Sequence, residues 1–146
     1  MNKVKIGQRV TPYPMPVTLV GTKVEDKVNF MTVAWITRLN YNPPIWGAAI
    51  NKRHYTIEGL KQNKEFSINF PSANMIAETD YCGLGSGKKI DKTKIFEVFY
   101  GELENAPMIQ GCPLTIECRL HDMIDLPTNA IVLGDVVEAY TTNEYL

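Results

Sequence analysis

Histidine and cysteine are scarce in this chain of 146 residues, which has two of the first and three of the second. Cys82, Cys112 and Cys118 are odd in number and form no C-x-x-C pair, so no disulfide framework is expected. Cys112 and Cys118 are too far apart for a zinc knuckle, and neither histidine lies near them at ligand spacing. The expectation is three reduced thiols, Cys118 at least in the core, and no metal. His54 and His121 have no Ser, Cys or Asp partner at motif spacing, which leaves no triad. Asp122 and Asp125 flank a turn before Leu126-Pro127 and read as a polar turn rather than as the paired acids of a hydrolase. No apolar run is long enough to span a bilayer, and Met1-Asn2-Lys3-Val4-Lys5-Ile6 lacks the apolar segment of a signal peptide. A cytoplasmic protein with no membrane partner is expected. Neither sign of charge dominates: 15 Lys and Arg against 16 Asp and Glu give a net charge of -1. That balance offers no general case for nucleic acid, and any phosphate contact must come from a local patch.

No repeat, low-complexity tract or linker divides the chain, so residues 1–146 are read as one domain. The prolines of Thr11-Pro12-Tyr13-Pro14-Met15-Pro16 stiffen an extended lead-in. It enters Val17 to Thr22, rich in β-branched residues and strand-like, with Glu25-Asp26-Lys27 as a turn and Val28 to Thr37 as one returning strand. Ile45 to Ile50 reads as a buried strand, Tyr55 to Gln62 as a short amphipathic helix, and Glu65 to Phe70 as an alternating strand. Ser72 is a fair N-cap for a second helix reaching roughly Tyr81. Gly83-Leu84-Gly85-Ser86-Gly87-Lys88-Lys89 is expected to be a loop, and Thr93 to Glu104 fits neither pattern. Leu114 to Ile124 places Leu114, Ile116, Cys118 and Leu120 on one face and Thr115, Glu117, Arg119 and His121 on the other. Ala130 to Thr141 is the last strand. Many strands with two short helices imply a mainly β (β or α+β) chain, a closed or nearly closed antiparallel barrel.

Two segments carry chemistry. Alternation along Asn29 to Trp35 sets Asn29, Met31, Val33 and Trp35 on one face and Phe30, Thr32 and Ala34 on the other. Thr32 and Ala34 are compact enough for a planar ring to approach the backbone. Asn29 can both donate and accept, and Trp35 can pack on a ring or at a subunit contact. An ordinary core strand with one polar end explains this segment better when it stands alone. The second segment is Asn51-Lys52-Arg53-His54-Tyr55-Thr56. Lys52 and Arg53 are cationic, Thr56 has a hydroxyl, and a helix starting near His54 would aim free N–H groups at an anion. Alone, a solvated basic turn again explains it better. The glycine run matches neither the P-loop nor the dinucleotide fingerprint; Lys88, Lys89 or Lys92 could swing over an anionic ligand, or the run could be plain surface.

Taken in order, these segments resemble a known family, the flavin reductase-like group of FMN-binding split β-barrels, and within it the flavoredoxin-like proteins. The resemblance rests on Pro16 to Thr22, Asn29 to Trp35, Lys52 to Thr56 followed by Glu65 to Phe70, and Gly87-Lys88-Lys89-Ile90-Asp91-Lys92. Pro113 to Leu120 and Leu133 to Val137 also fit. The resemblance implies a homodimer with one FMN per subunit near the dimer interface. By position, Asn29, Met31, Thr32, Val33, Ala34 and Trp35 would border the isoalloxazine and ribityl chain. Lys52, Arg53, His54 and Thr56 would surround the phosphate, with Lys88 and Lys92 as further candidates. The activity implied is an oxidoreductase that passes reducing equivalents from NAD(P)H or a protein donor through FMN to an acceptor. A non-enzymatic flavoredoxin-type electron carrier and a cofactor-free dimeric binding module are the alternatives. Thr93 stands where an aromatic is usual, Asn129 where a His often precedes the barrel strand, and the chain ends at Leu146 where relatives continue. The expectation from these departures is a substrate side that is open or completed by the partner subunit.

Overall fold

A computed structural model describes residues 1–146. Strands β1 (Thr18–Val24) and β2 (Lys27–Val33) form an antiparallel hairpin in which Thr18 faces Val33 and Val24 faces Lys27. Glu25 and Asp26 close it at φ 50° and 63°, the positive values that a tight hairpin turn of the primed type demands of both central residues.

The returning strand does not run on to Thr37. β2 stops at Val33, and β3 (Ile36–Asn40) begins after Ala34 and Trp35. The reason is a change of partner. β2 pairs with β1, whereas Ile36 pairs with Ala48 of β4 (Ile45–Asn51). With β5 (Glu65–Phe70), β8 (Leu114–Asp125) and β9 (Asn129–Thr141), the main sheet runs β2-β1-β5-β8-β9-β4-β3. β2 and β3 are therefore opposite edges of this sheet, yet only Ala34 and Trp35 separate them in sequence. The sheet must curl until its edges meet, which makes the antiparallel barrel expected from the pattern of strands. Just before β3 the Trp35 carbonyl accepts the Ala49 N–H at 2.8 Å, extending the β3–β4 pairing by one residue. Two-residue strands β6 (Val98–Phe99) and β7 (Met108–Ile109) pair separately.

Apolar side chains including Val20, Val33, Ile50, Phe66, Ile68 and Ile116 fill the barrel. A smaller cluster of Leu19, Phe30, Cys82, Ile109 and Cys112 lies apart from it. Helix α1 (Thr56–Asn63) packs on β1, where Gly59 is needed because a Cβ there would run into the Lys23 carbonyl and Thr22. Helix α2 (Ile76–Leu84) packs on β2 after a 3-10 turn at Ala73–Met75. The Ser72 side chain caps neither, so α2 enters through the 3-10 turn instead. Gly83 belongs to α2 rather than to the loop, with its Cα side turned to Thr32.

Glu117, on the face opposite Ile116 and Cys118, is fully buried, as is Thr115 beside it on that face. The loop before β7 covers it, and its carboxylate accepts the Glu102 and Leu103 N–H groups and the Tyr140 hydroxyl. All three cysteines are free and buried, and burial pushes the Cys112 and Cys118 thiols up to about 12.

Candidate functional site

The turn after β4 sets the start of α1. Asn51 Oδ1 accepts the Arg53 N–H, and the Asn51 carbonyl accepts the His54 N–H at 3.0 Å. This tight turn leads straight into the helix, whose first N–H groups have no intrahelical partner. Those of Tyr55 and Thr56 donate to no protein acceptor. Across a cleft lie the end of α2 and the run Gly85-Ser86-Gly87, with Asn29, Met31 and Thr32 of β2 as the floor. The cleft measures about 240 Å³.

Its charge inventory is one-sided. The ionisable side chains on its wall are His54, Tyr55, Cys82 and Lys92, and there is no carboxylate. Lys92 is only 4% exposed. Its Nζ donates to the carbonyls of Phe30 at 2.8 Å and Cys82 at 3.1 Å, and no acid pairs with it. Burial lowers its pKa, as it does for any ammonium taken out of water. The His54 pKa is also lowered, first by burial and then by the Lys92 charge. A buried cation held only by neutral carbonyls is incompletely compensated, and an anion in the cleft would complete it.

Asn29 lies at the back of the cleft, 3% exposed. Its Nδ2 donates to Thr56 Oγ1 at 2.9 Å, while its Oδ1 has no partner. Gly87 lies directly against this oxygen and the Tyr55 ring, where a Cβ would overlap both. Thr32 donates to the Thr79 carbonyl and so ties β2 to α2.

The candidates named from sequence thus divide. Asn29, Met31, Thr32, His54, Thr56 and Lys92 share the cleft. Lys88 is on a neighbouring, more open cleft of about 740 Å³, paired with Glu58 at 2.7 Å and over the Tyr55 ring. Val33 points into the barrel core. Ala34 and Trp35 line a third, apolar groove with Pro12, Pro14, Leu39 and Ile131. Lys52 turns away to Asp125 at 3.1 Å, and Arg53 is exposed, outside all three. Sequence reasoning missed Tyr55, Cys82 and the wall from Gly83 to Gly87. The glycines were the available signal, since they permit the close approach to Asn29 and Thr32.

The family described as "Flavin reductase like domain" matches residues 10–146. A flavoredoxin crystal structure from Methanosarcina acetivorans is 50% identical, with a TM-score of 0.98 over 100% of this chain and 78% of that one. An FMN-binding protein from Thermus thermophilus, solved with 1-cyclohex-2-enone, is 25% identical, with a TM-score of 0.86 over 97% and 80% of the two chains. An uncharacterized protein of Pyrococcus abyssi is 30% identical over 90% of this chain and 76% of its own length.

Proposed function

The chain belongs to the flavin reductase-like family, and from that premise we propose that it is an FMN-binding oxidoreductase with one FMN per subunit. The acid-free cleft carries this reading. It joins a buried ammonium, two unused helix amides and the Thr56 hydroxyl in a protein whose net charge is -1. A phosphate monoester supplies the missing negative charge and the acceptors.

The residues fit the group. His54, Thr56 and Lys92 would hold the phosphate, with Asn29 and Thr32 beside the ribityl chain. Met31 would border the ring from the floor of the cleft, Val33 would contribute backbone alone because its side chain is in the core, and Ala34 and Trp35 line the separate apolar groove. Lys52 pairs with Asp125, Lys88 pairs with Glu58 and Arg53 is exposed outside the cleft, so none of the three would hold the phosphate. Bound there, FMN supplies hydride and single-electron chemistry, and the protein supplies orientation and electrostatics. The reducing equivalents would come from NAD(P)H or a protein donor. The apolar groove at Trp35, which is 55% exposed, is where a second copy would dock to form the homodimer. Three free thiols suit the cytoplasm, and residues 1–146 would act as one domain.

The 50% identity to a flavoredoxin favours a second reading, an electron carrier on the same fold without turnover of its own. An absorption spectrum and a fluorescence titration with FMN test the binding. The expected result is a yellow protein, or quenching with a Kd in the micromolar range or tighter. A colourless protein that leaves FMN fluorescence unchanged overturns it. NAD(P)H oxidation with a dye acceptor then separates reductase from carrier.

A further inference from the structure

Two clefts of different character meet at Tyr55. The inner cleft, about 240 Å³, holds Lys92 and no carboxylate. The outer cleft, about 740 Å³, shares Asn29, Tyr55, Gly87 and Lys92 with it. Its remaining wall carries the carboxylates of Glu25, Glu58 and Asp91 and the ammonium groups of Lys27, Lys88 and Lys89. Lys88 Nζ stands 5.5 Å over the centre of the Tyr55 ring and pairs with Glu58 at 2.7 Å. Asp91 is engaged by Thr93, whose backbone N–H and hydroxyl both donate to it. Glu25 and Glu58 are the acids that act on Tyr55, and Lys88 is the one cation that opposes them. The phenol pKa is raised, first by burial and then by these two carboxylates. A place that resists a phenolate resists any further negative charge brought to it.

The two flavin nucleotides differ at this junction. FMN ends in a phosphate monoester, whereas FAD continues through a second phosphate to adenosine. Lys92, which would hold the phosphate, lines both clefts, so a chain continuing past that phosphate enters the outer one. We propose that Glu25 and Glu58, where the clefts join, select a phosphate monoester over a diphosphate and hence FMN over FAD. The inference rests on the flavin reading above for its ligand. The second phosphate of FAD would come among carboxylates, and the Lys88 ammonium that could meet it is already committed to Glu58. Both members of that pair are exposed, so each interaction is weak and the discrimination is modest in size and sensitive to salt. Lys88 thereby has a part in the site without touching the bound phosphate.

Calorimetric titration with FMN and with FAD tests this selection. FMN is expected to bind roughly tenfold more tightly than FAD at low salt, the scale of one or two exposed charge interactions. The double variant Glu25→Gln/Glu58→Gln, which frees Lys88, is expected to close most of that gap by strengthening FAD while FMN changes little. Equal affinities in the wild-type protein overturn the proposal, and so does a gap that the variant leaves unchanged. Salt titration of the wild-type protein needs no variant to fold: the gap is expected to narrow as sodium chloride is raised, and a constant gap overturns the proposal. If neither flavin binds, the flavin reading fails, and inorganic phosphate and pyrophosphate read the same selection. Pyrophosphate is then expected to gain on phosphate in the double variant, and an unchanged ratio overturns this inference too.

Discussion

Lys92 carries its charge into the protein with two carbonyls and no carboxylate to meet it. Its folded pKa lies below the unfolded value, so the folded state binds that proton less tightly. Stability from this group therefore rises with pH just below 10.5 and is lost as pH falls through the lowered value. A bound phosphate reverses the preference by favouring the ammonium. We expect Lys92→Met to weaken FMN on the order of tenfold to a hundredfold, the range of a charge-assisted hydrogen bond, as measured by fluorescence titration. His54 follows the same sign. Its pKa is depressed below 6.5, so its contribution to stability is present above 6.5 and lost as pH falls toward the folded value. A phosphate beside it favours the imidazolium, and FMN binding near pH 6 should take up a proton. Calorimetry in two buffers of different ionisation enthalpy reads that uptake, which His54→Gln should abolish. His54, Thr56 and Lys92 were legible in the sequence by type. That Lys52 is outside was not, because the Asn51 turn directs it toward Asp125, and residue type does not encode the direction of a turn.

At the scale of elements, alternation located β5 to the residue and β8 and β9 to within one or two. It failed where a loop covers a sheet face from outside, and Glu117 is the case. Its carboxylate is the acceptor for two backbone N–H groups and a hydroxyl, which raises the Tyr140 pKa to about 12 through burial and this bond. Glu117→Ala strands those donors in the interior. At 1–3 kcal/mol for each unsatisfied group, a loss of about 3 kcal/mol in urea unfolding is expected. Glu117→Gln, which keeps one acceptor oxygen, should cost less. The break between β2 and β3 was equally illegible. Val28 to Thr37 reads as one apolar strand, and only pairing shows that its two halves belong to opposite edges of the sheet.

That break governs the whole molecule. Closing the barrel at Ala34 and Trp35 exposes the indole beside Leu39 in an apolar groove of about 560 Å³. An exposed contiguous apolar surface of this kind marks an interaction site. If this groove is the contact of the proposed homodimer, Trp35→Glu lowers the sedimentation coefficient in analytical ultracentrifugation and leaves the circular dichroism unchanged. An unaltered sedimentation coefficient overturns that contact.

From sequence alone came the strand and helix periods, the hairpin, the reduced cysteines and the family, because these depend on local pattern and on order along the chain. Tertiary structure alone decided that Lys92 is a buried cation without an acid, that Gly83 to Gly87 form a wall, and that Asn29 Oδ1 is left unpartnered. The physical reason is that each depends on which groups meet across the fold, and burial and hydrogen-bond satisfaction are properties of neighbours distant in sequence.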